Sequence, residues 1–283
     1  MNTSCKSLFT LFLISISFKG FSQKTNGSVQ SLVNTEKYFN ELAAKKGINS
    51  AFIEMAEEKG VVFRPNPVNT IEYYNKQEEA KFQLQWKPEF AMISKSGYFG
   101  FTTGPYELKS DDESHYGHYL SIWKAETNKK WKLVLDAGIS HAQPEQVLDE
   151  KFYDPSNYKY PKLIGPAKIK MRKDMVFSTD ELFGKALKNT GNKNFNEYYD
   201  ENVRLYFPNE QPLIGKQNAI AFIDKKNKAI TSYPNFSDRA ISGDLAYTNG
   251  KAEIANKKYN YIRVWKIDEE MKWNILIDMY VEE

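Results

Sequence analysis

Four of the five tryptophans in this chain lie in two matching segments, and no other sequence feature constrains the fold as much. The segments are Tyr119–Gly138 and Tyr261–Tyr280. Aligned without gaps, they share five residue pairs: Tyr119/Tyr261, Trp123/Trp265, Lys124/Lys266, Trp131/Trp273 and Asp136/Asp278. Each segment has the pattern of two strands joined by a short polar turn. The sequence therefore predicts one hairpin that is used twice.

A second block of matches precedes each hairpin, in the same order. It compares residues 96–108 with residues 242–254, and the shared pairs are Ser96/Ser242, Gly97/Gly243, Thr102/Thr248, Gly104/Gly250 and Glu107/Glu253. Two matched blocks in one order predict a duplication, with a first domain over 28–141 and a second over 175–283. The segment between them, 142–174, has five prolines or glycines together with several aromatic residues. We interpret it as a linker that packs against the domains.

Residues 1–22 have the pattern of a cleaved signal peptide. Lys6 precedes the apolar run Ser7–Phe18, and small residues precede a predicted cut after Ser22. An uncleaved anchor is the alternative, but a helix needs about 20 apolar residues to cross a bilayer, and this run is shorter. Cys5, the single cysteine, would leave with the signal. We therefore expect a periplasmic or secreted protein without disulfides, cysteine nucleophiles or cysteine metal sites.

Charge gives no indication of a polyanionic partner. The formal net charge is +3, and lysines alternate with acidic residues along the chain. Neither nucleic acid nor a membrane surface is expected as a partner of the mature protein.

Both halves begin with helical patterns and continue with strands, which is typical of an α+β fold with antiparallel sheets. Asn34 or Thr35 is the predicted N-cap of the first helix. Ser178–Glu181 has capping-box spacing and predicts the start of the first helix of the second half.

The order helix, helix, short strand, helix and curved sheet resembles the NTF2-like superfamily, and the motifs are similar to its SnoaL-like/DUF4440 branch. The motifs that carry the resemblance are residues 63–69, 96–105, 116–119, 135–141, 213–220 and 242–250, and the final tryptophan hairpin. The resemblance implies two tandem cone-shaped NTF2-like (cystatin-like) domains, each with helices packed on a curved antiparallel sheet. It also implies a pocket between the helices and the concave face, suited to a small and largely apolar ligand.

Differences between the two halves point to the first half as the location of a site. All 3 histidines lie there, and His118 aligns with Asn260. His118 is a candidate proton-transfer residue, because histidine titrates near neutral pH. The alternative is a hydrogen-bonded core histidine. His141 and Arg64, which aligns with Phe207, are candidate ligand-binding residues.

Asp136 is the candidate partner of His118 in acid–base catalysis, if it faces the cavity. Strict alternation places Trp131, Leu133, Leu135 and Ala137 on one face of the strand and Asp136 on the other. Because Asp278 occupies the matching position, the alternative is a framework carboxylate that is solvated or paired with Lys124. Trp86, Tyr98 and Tyr116 are further candidates for ligand binding, although such aromatic residues are more often core.

Several classes of chemistry lack a sequence signal. The chain has no HxH or HExxH spacing for a metal, no phosphate-binding glycine loop and no GxSxG motif. No metal and no cofactor is expected.

The sequence leaves three functional hypotheses open. The first is an exported protein that binds a small, largely apolar molecule in the first domain. The second is a cofactor-independent lyase, isomerase or cyclase that uses His118 and Asp136, with Arg64 holding an anionic substrate. The third is a structural role, in which the two domains form an internal pseudo-dimer or the chain forms a homodimer.

Overall fold

The computed structural model describes residues 23–80, 82–110, 113–145, 148–162, 165–226 and 229–283. In this part of the chain, two separate sheets are each packed against helices. This confirms the predicted α+β fold class. The predicted signal peptide, residues 1–22, lies outside the described residues.

The first half forms an eight-stranded sheet with three helices on one face. Its elements are α1 (Val29–Lys46), α2 (Ile48–Met55), β1 (Ala56–Phe63), β2 (Pro67–Asn69), α3 (Thr70–Lys76), β3 (Gln83–Trp86), β4 (Phe90–Ile93), β5 (Phe99–Lys109), β6 (Ser114–Ala125), β7 (Trp131–His141) and β8 (Lys151–Tyr153). The strand order is β2-β1-β7-β6-β5-β4-β8, and β3 also pairs with β5. Thus the segment interpreted as a linker contributes one edge strand to this sheet.

The second half repeats this order with six strands. Its elements are α4 (Pro166–Thr190), a short 3₁₀ turn (Asn192–Asn194), α5 (Phe195–Tyr198), β9 (Tyr199–Tyr206), β10 (Leu213–Ile214), α6 (Lys216–Lys226), β11 (Ile230–Arg239), β12 (Leu245–Ile254), β13 (Lys257–Ile267) and β14 (Trp273–Glu282). The strand order is β10-β9-β14-β13-β12-β11. In both halves the first long strand is parallel to the last hairpin strand, as β1 is to β7 and β9 is to β14.

Both predicted helix starts are wrong, for physical reasons that the structure shows. Helix α1 begins earlier, because Ser28 caps it by accepting a hydrogen bond from the Ser31 amide. Thr35 is instead buried in mid-helix, where its hydroxyl donates to the Ser31 carbonyl at 2.9 Å. Similarly, α4 begins at Pro166, so Ser178 lies inside the helix rather than at its cap.

The glycine pair Gly104/Gly250 is explained by close approach of neighbouring strands. A Cβ atom at Gly104 would collide with the Lys87 carbonyl oxygen. A Cβ atom at Gly250 would collide with the Tyr233 carbonyl oxygen. The matched glycines therefore permit the same backbone contact in both sheets.

The two sheets bury their helix-free faces against each other in one shared apolar cluster. The first sheet contributes residues such as Phe101, Leu120 and Ile122, and the second contributes residues such as Tyr247 and Ile262. Two further clusters lie between each sheet and its own helices. The protein therefore has three apolar layers, with helices outside and the sheet–sheet contact in the middle.

Polar contacts also cross the boundary between the sheets. Arg204 Nη1 donates to Glu89 Oε1 at 2.7 Å, and both side chains are only 4% exposed. The Arg204 guanidinium also lies 4.3 Å from the centre of the Phe90 ring. A buried charge without a partner is costly, so each of these two side chains requires the other.

No helix among the described residues is both long enough and apolar enough to span a bilayer.

Arg204→Met should destabilise the protein by about 3–5 kcal/mol, because it leaves the Glu89 carboxylate buried without its cation. The double variant Arg204→Met/Glu89→Gln should lose less than the sum of the two single losses. The measurement is the free energy of unfolding from urea titrations of all three variants.

Lys257→Met is the control, because Lys257 forms an exposed ion pair with Glu282. Its free energy of unfolding should stay near that of the wild type. Strict additivity of the two single losses would show that the cross-sheet pair is not energetically coupled.

Candidate functional site

A bulge in strand β7 decides which side chains face the helices of the first half. Leu135 pairs with Ile122, but Leu133 pairs with Trp123, so Val134 is an extra residue between them. Such a bulge shifts the alternation of side chains along the strand.

The bulge corrects the strict alternation expected from sequence. Trp131 and Leu133 lie in the cluster with the helices, whereas Leu135 and Ala137 lie in the cluster between the sheets. Beyond the bulge, Asp136 is on the helix side. The same register shift occurs in the second half, between Val264 and Trp265.

Asp136 lies in the wall of a cavity of about 600 Å³ between the helices and the concave face of the first sheet. Most of the wall is apolar or aromatic, and these residues are Phe39, Ile48, Phe52, Phe63, Pro65, Tyr73, Ala80, Phe82, Leu84, Trp86, Leu108, Ala137 and Val281. The other lining residues are Asn49, Arg64, Tyr74, Gln77, Glu78, Tyr106, Tyr119, Asp136 and Gly138. This is the composition of a small-molecule site, since such sites combine apolar walls with a few polar groups.

Arg64 and Asp136 form an ion pair in this wall. Arg64 Nη2 lies 3.2 Å from Asp136 Oδ1 and donates to the Tyr74 hydroxyl at 2.9 Å. Arg64 Nη1 donates to the Phe63 carbonyl oxygen at 2.9 Å. The Arg64 side chain is 29% exposed, so its guanidinium has room for a further acceptor. The pair therefore gives an otherwise apolar cavity one fixed polar point.

Asp136 is held in place by Ser121, whose hydroxyl donates to Asp136 Oδ2 at 3.1 Å. Burial raises the pKa of Asp136, and the Arg64 charge and these hydrogen bonds oppose that shift. The prediction that Asp136 pairs with Lys124 is wrong, because Lys124 contacts Asp238 instead.

A second carboxylate, Glu36, lies beneath the cavity in helix α1. It accepts hydrogen bonds from Trp86 Nε1 at 2.5 Å, from Trp123 Nε1 at 2.9 Å and from the Thr102 hydroxyl. Burial raises the pKa of Glu36 to about 7, although the three donors oppose the shift and Asp136 adds to it. Because Trp86 lines the cavity, Glu36 fixes the orientation of one cavity wall.

Three of the seven residues singled out from sequence line this cavity, namely Arg64, Trp86 and Asp136. His118, His141, Tyr98 and Tyr116 do not. Tyr98 is 37% exposed and lies in the turn before β5, while Tyr116 is half-buried near the start of β6.

The structure does not bring His118 and Asp136 together, so they cannot act as the acid–base pair expected from sequence. His118 lies on the opposite face of the first sheet, stacked on Tyr206 with ring centres 5.6 Å apart. Its Nδ1 is 2.7 Å from His141 Nε2, and its Nε2 is 4.0 Å from Glu89. Burial lowers the pKa of His118. The alternative interpretation of His118, a hydrogen-bonded core histidine, matches this position.

His141, the last residue of β7, is buried beside His118, and the Asn209 amide of the second half donates to the neighbouring Ser140 carbonyl oxygen at 2.8 Å. His141 Nδ1 lies 2.6 Å from the Ala142 carbonyl oxygen.

The sequence-based selection missed Glu36, Tyr74, Tyr106 and Ser121. A signal for Glu36 was available: it lies three residues before Phe39, on the apolar face of α1. Ser121 also had one, because it aligns with Arg263. Tyr74 and Tyr106 had none, since their positions in the cavity wall depend on how distant segments meet.

The matching region of the second half is filled by its own side chains. Arg263, at the position of Ser121, is fully buried between Asp180 and Asp278, at 2.5 and 3.1 Å. Tyr280, at the position of Gly138, lies 3.3 Å from Arg263 Nη2 and is also buried. A smaller cavity of about 360 Å³ remains at the mouth of this half.

No described group of three or more His, Cys, Asp or Glu side chains is arranged to hold a metal ion.

Each of the solved structures reported below matches about 40% of this chain. An NTF2-like protein from Cytophaga hutchinsonii is 16% identical, with a TM-score of 0.33, and the match covers 39% of this chain and 97% of that protein. An NTF2-like protein of unknown function from Shewanella oneidensis is 17% identical, with a TM-score of 0.33 and coverages of 38% and 94%. Nuclear transport factor 2 from Cryptosporidium parvum is 11% identical, with a TM-score of 0.34 and coverages of 43% and 98%.

At these identities and TM-scores, the matches say nothing about what this chain binds or does. No protein family profile matches the chain, and no curated protein matches it.

Glu36→Gln should change how stability depends on pH. The pKa of Glu36 is about 7 in the folded protein, against an ordinary value of 4.5. The folded state therefore binds the proton more tightly, and its free energy of unfolding should fall as pH rises through this window. Glu36→Gln removes that fall. The difference in unfolding free energy between variant and wild type should therefore shift in favour of the variant by on the order of 3 kcal/mol from pH 4.5 to pH 7.

Urea unfolding at several pH values across this window measures the difference. Glu41→Gln is the matched control, because it removes an exposed carboxylate from the same helix. Its unfolding free energy should keep a constant offset from the wild type. A constant offset for Glu36→Gln as well would contradict the titration assigned to Glu36.

Proposed function

We propose that this protein binds a small, largely apolar molecule in the cavity of its first half. The observation that carries the proposal is the contrast between the halves. At the positions where Arg263 and Tyr280 fill the second half, the first half has Ser121 and Gly138 and a cavity of about 600 Å³. That volume is typical of small-molecule sites, which range over about 300–1,000 Å³.

The polar groups of the wall define what the ligand should carry. Arg64 is the partly exposed cation, so it favours a ligand with one carboxylate, carbonyl or hydroxyl oxygen. The aromatic wall around Trp86 and Phe52 favours a ring system or a branched hydrocarbon for the remainder. We expect a molecule with one polar end and an apolar body.

Cofactor-independent acid–base catalysis is the second candidate, and one observation favours it. The Asp136 carboxylate faces an apolar cavity, and burial raises its pKa, as suits a general base. His118 is excluded as its partner by position. The test is hydrogen–deuterium exchange at carbon in a bound ligand, followed by NMR, for the wild type and Asp136→Asn. Exchange that persists in Asp136→Asn would remove this candidate.

We further propose that both halves are copies of one NTF2-like unit of the SnoaL-like/DUF4440 branch, paired as an internal pseudo-dimer. The matched strand orders and the shared apolar cluster support this. Sedimentation equilibrium should then give the mass of one chain. A stable homodimer would favour the alternative hypothesis.

Export remains a proposal that rests on the sequence of residues 1–22. N-terminal sequencing of protein produced in its native host should begin at Gln23. Retention of Lys6 in the mature protein would contradict cleavage.

Gly138→Tyr should abolish ligand binding, because it places in the first half the side chain that fills the second. A Cβ atom at Gly138 would lie 3.4 Å from both the His118 carbonyl oxygen and Tyr106 Cε1, so the backbone can accept a side chain. A thermal-shift screen with small apolar acids, ketones and alcohols identifies a ligand, and isothermal titration calorimetry then compares its affinity for the two proteins.

Tyr116→Ala is the control for this experiment, because it alters an aromatic candidate that lies outside the cavity. Its affinity should equal that of the wild type. Binding that survives Gly138→Tyr unchanged, in a protein with an undiminished melting temperature, would place the ligand elsewhere.

A further inference from the structure

A second cavity of about 560 Å³ lies where the two halves meet, and both halves contribute residues to its walls. Its walls come from the turn before β5, the end of β6, the first turns of α4 and the end of β11. Tyr98, Tyr160, Ile169 and Ile241 are among its apolar lining residues. It shares no lining residue with the cavity around Arg64.

Four cations and two carboxylates line this second cavity. Lys124 and Lys173 both contact Asp238, each at 2.6 Å. Burial alone would raise the pKa of Asp238, but the two lysines outweigh it and lower the pKa. The other carboxylate, Glu126, is exposed and accepts a hydrogen bond from Asn128 at 3.1 Å. The carboxylates of the cavity are thus already engaged or directed to solvent.

The remaining cations, Arg172 and Arg239, have no carboxylate within ion-pair distance among the described residues. Arg239 donates from Nη1 to the Arg172 carbonyl oxygen at 3.0 Å and from Nη2 to the Gly243 carbonyl oxygen at 2.7 Å. Its guanidinium also packs 5.1 Å from the Trp273 ring centre. Yet Arg239 Nε and Arg172 Nη1 are buried without any acceptor in the described structure.

Two like-charged guanidinium groups close to each other repel. Burial, together with the charge of Arg172, lowers the pKa of Arg239 to about 10, and Asp244 opposes this only in part. Buried donors without acceptors also carry a desolvation cost. An oxyanion between the two groups would offset the repulsion between their charges, because guanidinium forks match phosphate and sulfate oxygens.

We propose that this second cavity binds a phosphate or sulfate monoester, with its oxyanion between Arg172 and Arg239 and its apolar part against Tyr98 and Ile241. The excess of cations over carboxylates in the wall matches a dianionic or monoanionic head. The apolar surface matches an organic ester rather than an inorganic ion alone.

Phenyl phosphate and phenyl sulfate are the probes, tested separately by isothermal titration calorimetry at constant ionic strength. We expect one molecule of at least one probe to bind per chain, and comparison of the two identifies the preferred head group. Inorganic phosphate should bind more weakly, because it lacks the apolar part. Absence of binding by both esters at millimolar concentration would overturn the proposal.

Arg172→Gln should weaken binding of the ester by about tenfold or more, since it removes charge-assisted hydrogen bonds. Its matched control is Lys170→Gln, which makes the same charge change on the same helix but outside the cavity. The control should retain the affinity of the wild type. Equal losses of affinity in both variants would show that ester binding depends on the net charge of the protein rather than on a specific site.

The melting temperature without ligand provides a second readout that does not depend on the probe. The Arg172 side chain makes no hydrogen bond within the described residues, so its removal should not harm the fold. Because Arg172→Gln also removes repulsion with Arg239, it should raise the melting temperature of the ligand-free protein, while Lys170→Gln should not. A lower melting temperature for Arg172→Gln would show that the arginine is structural and would overturn the proposed site.

Discussion

The burial of the two sheets against each other is the contact on which the rest of the structure depends. Each sheet has an apolar face without helices, and residues such as Phe101 and Ile262 would be exposed without the other sheet. Burying a large apolar side chain stabilises a fold by about 1.5–3 kcal/mol, so this contact ties the two halves together. With one face of each sheet used in this way, the cavity around Arg64 lies on the helix-covered face of the first sheet.

The same framework then gives two different interiors. A bulge before Asp136 and before Asp278 turns both carboxylates toward the helices. In the second half, Arg263 from within the sheet neutralises Asp278 and occupies the space. In the first half, Arg64 approaches Asp136 from the adjacent strand at the rim and leaves the space open. A few side chains thus decide whether this region forms an open cavity or a packed core.

The α+β fold class was predictable, because the tryptophan hairpin and the glycine pair Gly104/Gly250 report backbone constraints that appear twice. The site was only partly predictable. Arg64 was found by its difference from Phe207, but the same argument selected His118, which lies between the sheets. Strand alternation could not show this, since the sequence does not reveal which face the other half covers. The second cavity had no local signal at all, because Arg172 and Arg239 come from distant segments.

The most direct test of the central claim is an X-ray structure of crystals soaked with a mixture of small aromatic acids and ketones. We expect ordered density in the first half, packed against Trp86 with an oxygen at Arg64, and none among Arg263, Asp278 and Tyr280. Density within that buried cluster of the second half, or a first half whose cavity is closed by its own side chains, would contradict it.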